Sequence, residues 1–537
     1  MHAHHPKPAP GAARRVACPL EGPAWSLAQR RRCARARSFA VGLATALLAL
    51  AAESSRAAEP GVAAAPTSAR YAAGSTTFCV VDPSRGFDEA GGVREGQRLL
   101  VVEAWYPVDP QAVTGRAPSQ FGDYFAGDRE LLLRTERALL SRSGIAGAAL
   151  EANLELAKVQ FDVPRGSHRN ATLARGDQAF PLVIYSHGTL QQRFSNDALA
   201  EKLAQNGYIV LAPEHTGNDA LAPLGTFCKP ELARPGVTPA SLAENPNFDA
   251  AHGDYSGQRL EPFFVVGSPR PESGTISPVE VALTLDRVAD YRAVLQAARQ
   301  RYGGRVALGS GSVGLVGYSR GAMHGLVGAE LLPEIGASVS IVGGTPLAFY
   351  ARDVQAAPIN SALSKASRGK RRVLDHLTKP VLEIIGAEDT RRKATSDVAA
   401  SIGVYPTPSA SNPSPIVKDS LARLGPNVFG ALVRVNDLEH GDLVDDPFVI
   451  AYRAPAGQKR PGAFDPKLSY TSRPVAERQA IRDYFVLALL ERFIRPGAAR
   501  PAPVTALPNP FAARGVQVEL RASKAAPAAA SGSAPAK

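Results

Sequence analysis

A serine stands between two glycines at Gly317-Tyr318-Ser319-Arg320-Gly321, after the apolar residues 313–316 and before the helix-compatible stretch GAMHGLVGAELL. A strand that turns at once into a helix leaves the serine at a strained corner. Side chains at the flanking positions would collide with the two elements, hence Gly317 and Gly321. The corner lifts the hydroxyl clear of the sheet and sets it over a helix N-terminus, where negative charge is favoured. The chemistry this suits is attack on a carbonyl carbon, with the amide of Arg320 donating to the oxyanion that forms.

Serine is a poor nucleophile at neutral pH unless a base takes its proton and a carboxylate orients that base. In a chain of this kind the order is nucleophile, acid, histidine. Downstream of Ser319 only His324, His376 and His440 are available. His324 falls on the serine's own helix and His376 precedes a strand, at the wrong end of a sheet. His440, in the turn-forming LEHGD after a strand, is the expected base. Asp389, at the end of LEIIGAED, is the expected acid; Glu388 and a carboxylate within 437–446 stay open as alternatives. The second oxyanion donor is expected from SHGTLQQ, where Gly188 admits close backbone approach and Thr189 supplies the amide. His187 reads as a brace for that loop.

These groups need elements to hold them. Strand-like runs occupy 98–108, 179–188, 208–215, 313–319, 337–344, 379–389 and 429–442, and helical stretches lie between many of them. Near-continuous apolar strands alternating with helices imply a mostly parallel α/β sheet covered on both faces, with ligands collecting beyond the strands' carboxyl ends. Gly207 supplies a helix stop after NDALAEKLAQ. Ser277-Pro278-Val279-Glu280 has the form of a capping box opening a long helix with apolar Val281, Leu285, Val288 and Leu295. Two long insertions, 216–276 and 345–376, interrupt the pattern near the expected active-site rim and suit a lid or a rim. The basic residues Lys365, Arg368, Lys370, Arg371 and Arg372 of the second read as a solvated face.

With AWYPV, FPLVIYSHGT, NGYIVLAPEHTG, VGLVGYSRG, KPVLEIIGAED and LEHGD together, the chain resembles the α/β-hydrolases over about 95–495. Within them it is most similar to bacterial relatives of platelet-activating-factor acetylhydrolase and to cutinase-like polyester hydrolases. The resemblance implies an α/β-hydrolase fold and a serine esterase acting through an acyl-enzyme. In the acetylhydrolases the acid follows the strand after the nucleophile helix. Here that position reads IVGGT, without a carboxylate, and Asp389 stands one strand later, as in polyester and dienelactone hydrolases. That departure keeps small and polymeric esters in view as substrates, with polyester or cutin hydrolase and lipase as variants. A non-catalytic binding protein on the same scaffold is the rival from another class.

Composition fits a globular protein. Apolar residues make up 45% and charged residues 20% of 537, enough for a sizeable core. The basic stretch 30–39 followed by the short apolar run 40–52 and Ser55-Arg56-Ala57 reads as a signal peptide over 1–57, too brief for a comfortable membrane span. Residues 1–57 hold nine of the 61 Lys and Arg and two of the 49 Asp and Glu, so the net charge of +12 falls to +5 on their removal. The charge therefore argues for no nucleic-acid partner. Residues 58–70 read as a linker, 71–497 as the catalytic domain, and 498–537 as a disordered low-complexity tail. Cys79 and Cys228 remain as a disulfide pair in an oxidising compartment, periplasmic or secreted, without stable membrane insertion. The histidines lack the paired spacing of a zinc site, and the expected chemistry requires no metal or cofactor. Oligomeric state stays open.

Overall fold

The computed structural model describes residues 70–142, 145–175, 179–256, 264–265, 275–352, 354–389, 393, 396–397, 400, 405–409, 414–445, 457, 459–461, 469–495 and 507–521. The expected signal peptide (1–57) and nearly all of the linker (58–70) lie outside these residues.

Ten strands build the central sheet: β1 (Ala72–Asp82), β2 (Arg98–Val108), β3 (Ser167–Arg169), β4 (Phe180–Ser186), β5 (Ile209–Pro213), β6 (Val313–Tyr318), β7 (Ile335–Ile341), β8 (Val381–Gly386), β9 (Gly430–Val435) and β10 (Val516–Leu520). Their order is β10-β9-β8-β7-β6-β4-β5-β2-β1-β3, and a two-residue strand at Val306–Ala307 pairs with the start of β4. From β5 through β9 every neighbour is parallel. The pairs β2/β5, β1/β2 and β9/β10 are antiparallel. All the parallel strands thus end on one edge.

Alternation along the strands divides the core in two. Leu182 and Ile184 of β4 and Leu315 of β6 face one layer with the helices α4 (Pro278–Tyr302), α5 (Arg320–Leu331), α6 (Ala357–Ala366) and α7 (Pro415–Ala422). Val183, Tyr185 and Val316 face the other, with α1 (Arg129–Arg142), α3 (Asp197–Gln205) and α8 (Val475–Phe493). The second helix of the chain, α2 (Ala148–Gln160), packs against α1 through Leu140, Leu150 and Leu154. This is the α/β-hydrolase arrangement: a mixed, mostly parallel sheet with helices on both faces.

Several features depart from the expectations. The hairpin α1–α2 and the strand β1 have no counterpart in the sequence reading. Residues 507–521, assigned to a disordered tail, include β10, whose Val516 and Val518 pair with Val435 and Val433. An edge strand needs only a short alternating segment such as VQVEL once a partner offers unpaired backbone groups. The insertion after residue 345 is no free flap, because Leu347, Phe349, Tyr350, Ile359 and Leu363 are buried in the first layer. Its basic run stays outside: Lys365, Arg368, Lys370 and Arg372 are exposed, while Arg371 pairs with Glu330.

The described part of the other insertion is ordered by a small core of its own. Ala222, Leu224, Cys228, Val237, Leu242 and Tyr255 pack on Phe87 and on Leu99 and Val101 of β2. A disulfide joins Cys79 of β1 to Cys228 across 149 residues. Closing so long a loop contributes about 4–5 kcal/mol in the chain-entropy account.

Candidate active site

β6 delivers Ser319 in a conformation few serines adopt, φ 52° and ψ −120°, as the residue that caps α5. The flanking glycines are steric requirements. A Cβ on Gly317 would lie 2.5 Å from the backbone of Ala322, and one on Gly321 would lie 2.2 Å from the carbonyl oxygen of Ser186. The turn is therefore wedged between its own helix and the end of β4, and the strain at Ser319 persists because the packing over-determines it.

His440 begins a short 3₁₀ turn (His440–Leu443) five residues beyond β9. Its Nε2 lies 2.8 Å from Oγ of Ser319, and its Nδ1 lies 3.0 Å and 3.2 Å from the carboxylate oxygens of Asp389. With the Nδ1 proton donated to the carboxylate, Nε2 carries the lone pair that faces the hydroxyl. Two neighbours hold the imidazole there through three contacts. The Oη of Tyr318 donates to the His440 carbonyl at 2.8 Å, the Tyr318 ring meets the imidazole edge to face at 5.6 Å, and the His440 amide donates to Glu439 at 3.0 Å. The imidazole keeps 12% exposure against 1% for the Asp389 side chain.

Asp389 is carried out of the sheet three residues beyond β8, at a place where the chain approaches the 436–439 loop closely. A Cβ on Gly386 would come within 2.1 Å of the Leu438 carbonyl oxygen. The alternative carboxylates are engaged elsewhere. Glu388 accepts from the Leu438 amide at 3.0 Å, Asp442 pairs with Arg478, and Asp445 pairs with Arg482 at 2.8 Å. In the IVGGT segment after β7, a Cβ on Gly343 would sit 2.6 Å from the Cβ of Ala322.

The loop after β4 crosses the elbow. A Cβ on Gly188 would meet the Tyr318 ring at 2.9 Å, and the Gly188 amide donates to the side chain of Gln191 at 3.0 Å. Leu190 has φ 60°, so the loop turns sharply just beyond Thr189. The hydroxyl of Thr189 is buried without a hydrogen-bond partner. His187 is fully buried, with Nδ1 2.8 Å from the Gly188 carbonyl and Nε2 accepting from the His215 amide at 3.3 Å. Burial first, then the nearby Arg287 cation, pushes its imidazole well below the usual range, so it is neutral. It braces the loop.

The other histidines downstream of the serine stand apart. His324 is buried on α5 against Glu280, at 2.6 Å, and His376 pairs with Asp375. The capping box expected at Ser277 does not form, because no side-chain cap bond is made there and Glu280 turns toward α5 instead. Sequence reading missed the bonds that Glu280 and Glu439 make around the elbow and the histidine. The capping pattern hid the first, and a bond to a neighbouring amide leaves no mark in a sequence.

The family model of platelet-activating factor acetylhydrolase, isoform II, matches residues 144–236, which span β4, the loop carrying Thr189, and β5. Among solved structures the chain is similar to a ferulic acid esterase from Streptomyces cinnamoneus, at 21% identity and a TM-score of 0.49, over 85% of this chain and 98% of that one. No curated protein matches the chain.

Proposed function

We propose that this chain, a carboxylic ester hydrolase of the α/β-hydrolase type, works through a Ser319–His440–Asp389 triad and an acyl-enzyme intermediate. The observation that carries the reading is the continuous line from the Ser319 hydroxyl through His440 to Asp389, at 2.8 Å and 3.0 Å. Ser319 attacks the ester carbonyl carbon while Nε2 of His440 takes the hydroxyl proton. Asp389 holds the imidazole's tautomer and stabilises the imidazolium. The amides of Thr189 and Arg320, with the N-terminus of α5 beneath, stabilise the oxyanion, where loss of one such donor typically costs ~3 kcal/mol. Collapse of the intermediate expels the alcohol, which takes its proton from His440. Water then repeats the sequence and releases the acid.

The substrate is a small-molecule or polymeric ester, and the partial acetylhydrolase match supports short acyl groups. The leader pattern and the Cys79–Cys228 disulfide support export to the periplasm or the medium. No helix among the described residues is long and apolar enough to cross a membrane.

The test is a fluorophosphonate label together with a p-nitrophenyl ester series of rising chain length, run beside phospholipid and polyester. Labelling should fall on Ser319 and disappear in Ser319→Ala along with turnover, while the melting temperature holds. A protein that neither labels nor turns over any ester would instead be a binding module on this scaffold.

A further inference from the structure

Glu280 stands three residues after Ser277, at the start of α4, yet it caps nothing. Its carboxylate points inward and is 1% exposed. One oxygen lies 2.6 Å from Nε2 of His324, and the other lies 3.2 Å from Nε of Arg320. Both partners belong to α5. Arg320 is the residue after the nucleophile, and His324 follows one turn on. Ser319 caps that helix, so whatever fixes its first turn also fixes the hydroxyl and the Arg320 amide.

Two turns along α4, on the same face, Arg287 is fully buried. Its Nη1 donates to the His187 carbonyl at 2.5 Å and to Oγ of Ser186 at 3.2 Å, and its Nε donates to Asn218 at 2.7 Å. These bonds hold the end of β4, two residues short of Thr189. Asp290, three residues farther, receives Arg98 at 2.9 Å and Arg85 at 2.6 Å, and lies 2.8 Å from Nδ1 of His215. His215 in turn donates its amide to His187. One helix therefore reaches the elbow helix, the end of β4 and the turn after β5, each through a buried charge.

Charges in such a place are costly, and a pair of them seldom adds stability over apolar packing. What they supply is fixed geometry. Burial alone would raise the Glu280 carboxyl, but Arg320 and then His324 hold it down to about 2, so it is an anion. Burial keeps His324 down at about 4, hence neutral, with Nε2–H donating.

We propose that Glu280 is a positioning residue for ester hydrolysis: through Arg320 and His324 it locks the first turn of α5, so that the Arg320 amide and the Thr189 amide, in the loop that follows the strand end held by Arg287, meet the oxyanion at one fixed spacing. The inference rests on the reading of Ser319 as nucleophile and of those amides as oxyanion donors. An interaction of this type acts in the transition state and hardly at all in the bound ground state.

Glu280→Gln keeps the shape and removes the charge. With a p-nitrophenyl ester, kcat should fall about tenfold while KM stays within about twofold. Affinity for a trifluoromethyl ketone, which adds Ser319 to form a tetrahedral adduct, should weaken by the same factor. Arg320→Gln should behave alike, and the double variant should lose little more than either single one. Unchanged kcat and ketone affinity, a fall in kcat without a fall in ketone affinity, or additive losses in the double variant would each overturn the proposal. Should Glu280→Gln fail to fold, Arg320→Gln alone, which keeps the Glu280–His324 bond, carries the same kcat and ketone comparison. Failure of the underlying reading looks different, because the wild-type protein would then take no fluorophosphonate at Ser319.

Discussion

Two histidine–carboxylate pairs flank the nucleophile helix, built from the same groups and put to different uses. In His440–Asp389 the carboxylate takes Nδ1 and leaves Nε2 against the Ser319 hydroxyl, at the edge of the protein. In His324–Glu280 the carboxylate takes Nε2, and Nδ1 is buried without a partner. The imidazole is 12% exposed in the first pair and 1% in the second. The pair alone is therefore no catalytic signature. Proton transfer requires that the ring nitrogen opposite the carboxylate face an oxygen that must lose a proton, at a place a substrate can reach.

The sharpest way to break this contrast is to delete each imidazole. His440→Ala should lower kcat at least about 10⁴-fold, whereas His324→Ala should lose no more than roughly tenfold through the displaced first turn of α5; steady-state kinetics with one ester decides. A reversed ranking would mean that the wrong histidine has been taken as base. A smaller effect comes from the carboxylates. Asp389→Asn should cost about 10³-fold or more by favouring the wrong tautomer, and Glu388→Gln, whose side chain only accepts from the Leu438 amide, should stay within about threefold of wild type.

The last contrast concerns stability against pH. Unfolded His324 gains a proton near 6.5, whereas the buried side chain resists until about 4, so stability is lost as pH falls through that window. Glu280 extends the loss, because its unfolded carboxyl protonates near 4.5 and the folded one only near 2. Thermal melts from pH 7 to 3 should show a flatter acid limb in His324→Gln, by about 3 kcal/mol between pH 6.5 and 4. An acid limb identical to wild type would show that the buried pair does not carry this linkage.

Much of the candidate site was legible because its residues are tied to strand ends. A short apolar run names a parallel strand, and the residue that leaves its carboxyl end is placed on the ligand edge by topology alone; Ser319, Asp389 and His440 follow from that rule. The choice of Asp389 over Glu388 was harder, since adjacent residues leave a strand in opposite directions and only the 436–439 loop shows which one faces the imidazole. The helical hairpin α1–α2 and the strands β1 and β10 escaped notice. β10 is five residues of weak alternation beside Ala- and Pro-rich sequence, and it becomes a strand only because β9 offers an open edge.

Local pattern by itself settled the alternation of strands and helices and the glycine-flanked corner at Ser319, because these depend on periodicity and on steric limits within a few residues. Tertiary structure alone decided that Glu280 abandons its own helix cap for α5, that residues 507–521 close the sheet, and which nitrogen of each histidine meets a carboxylate. Those outcomes turn on where distant segments leave a buried donor or acceptor without a partner, and no local spacing records that.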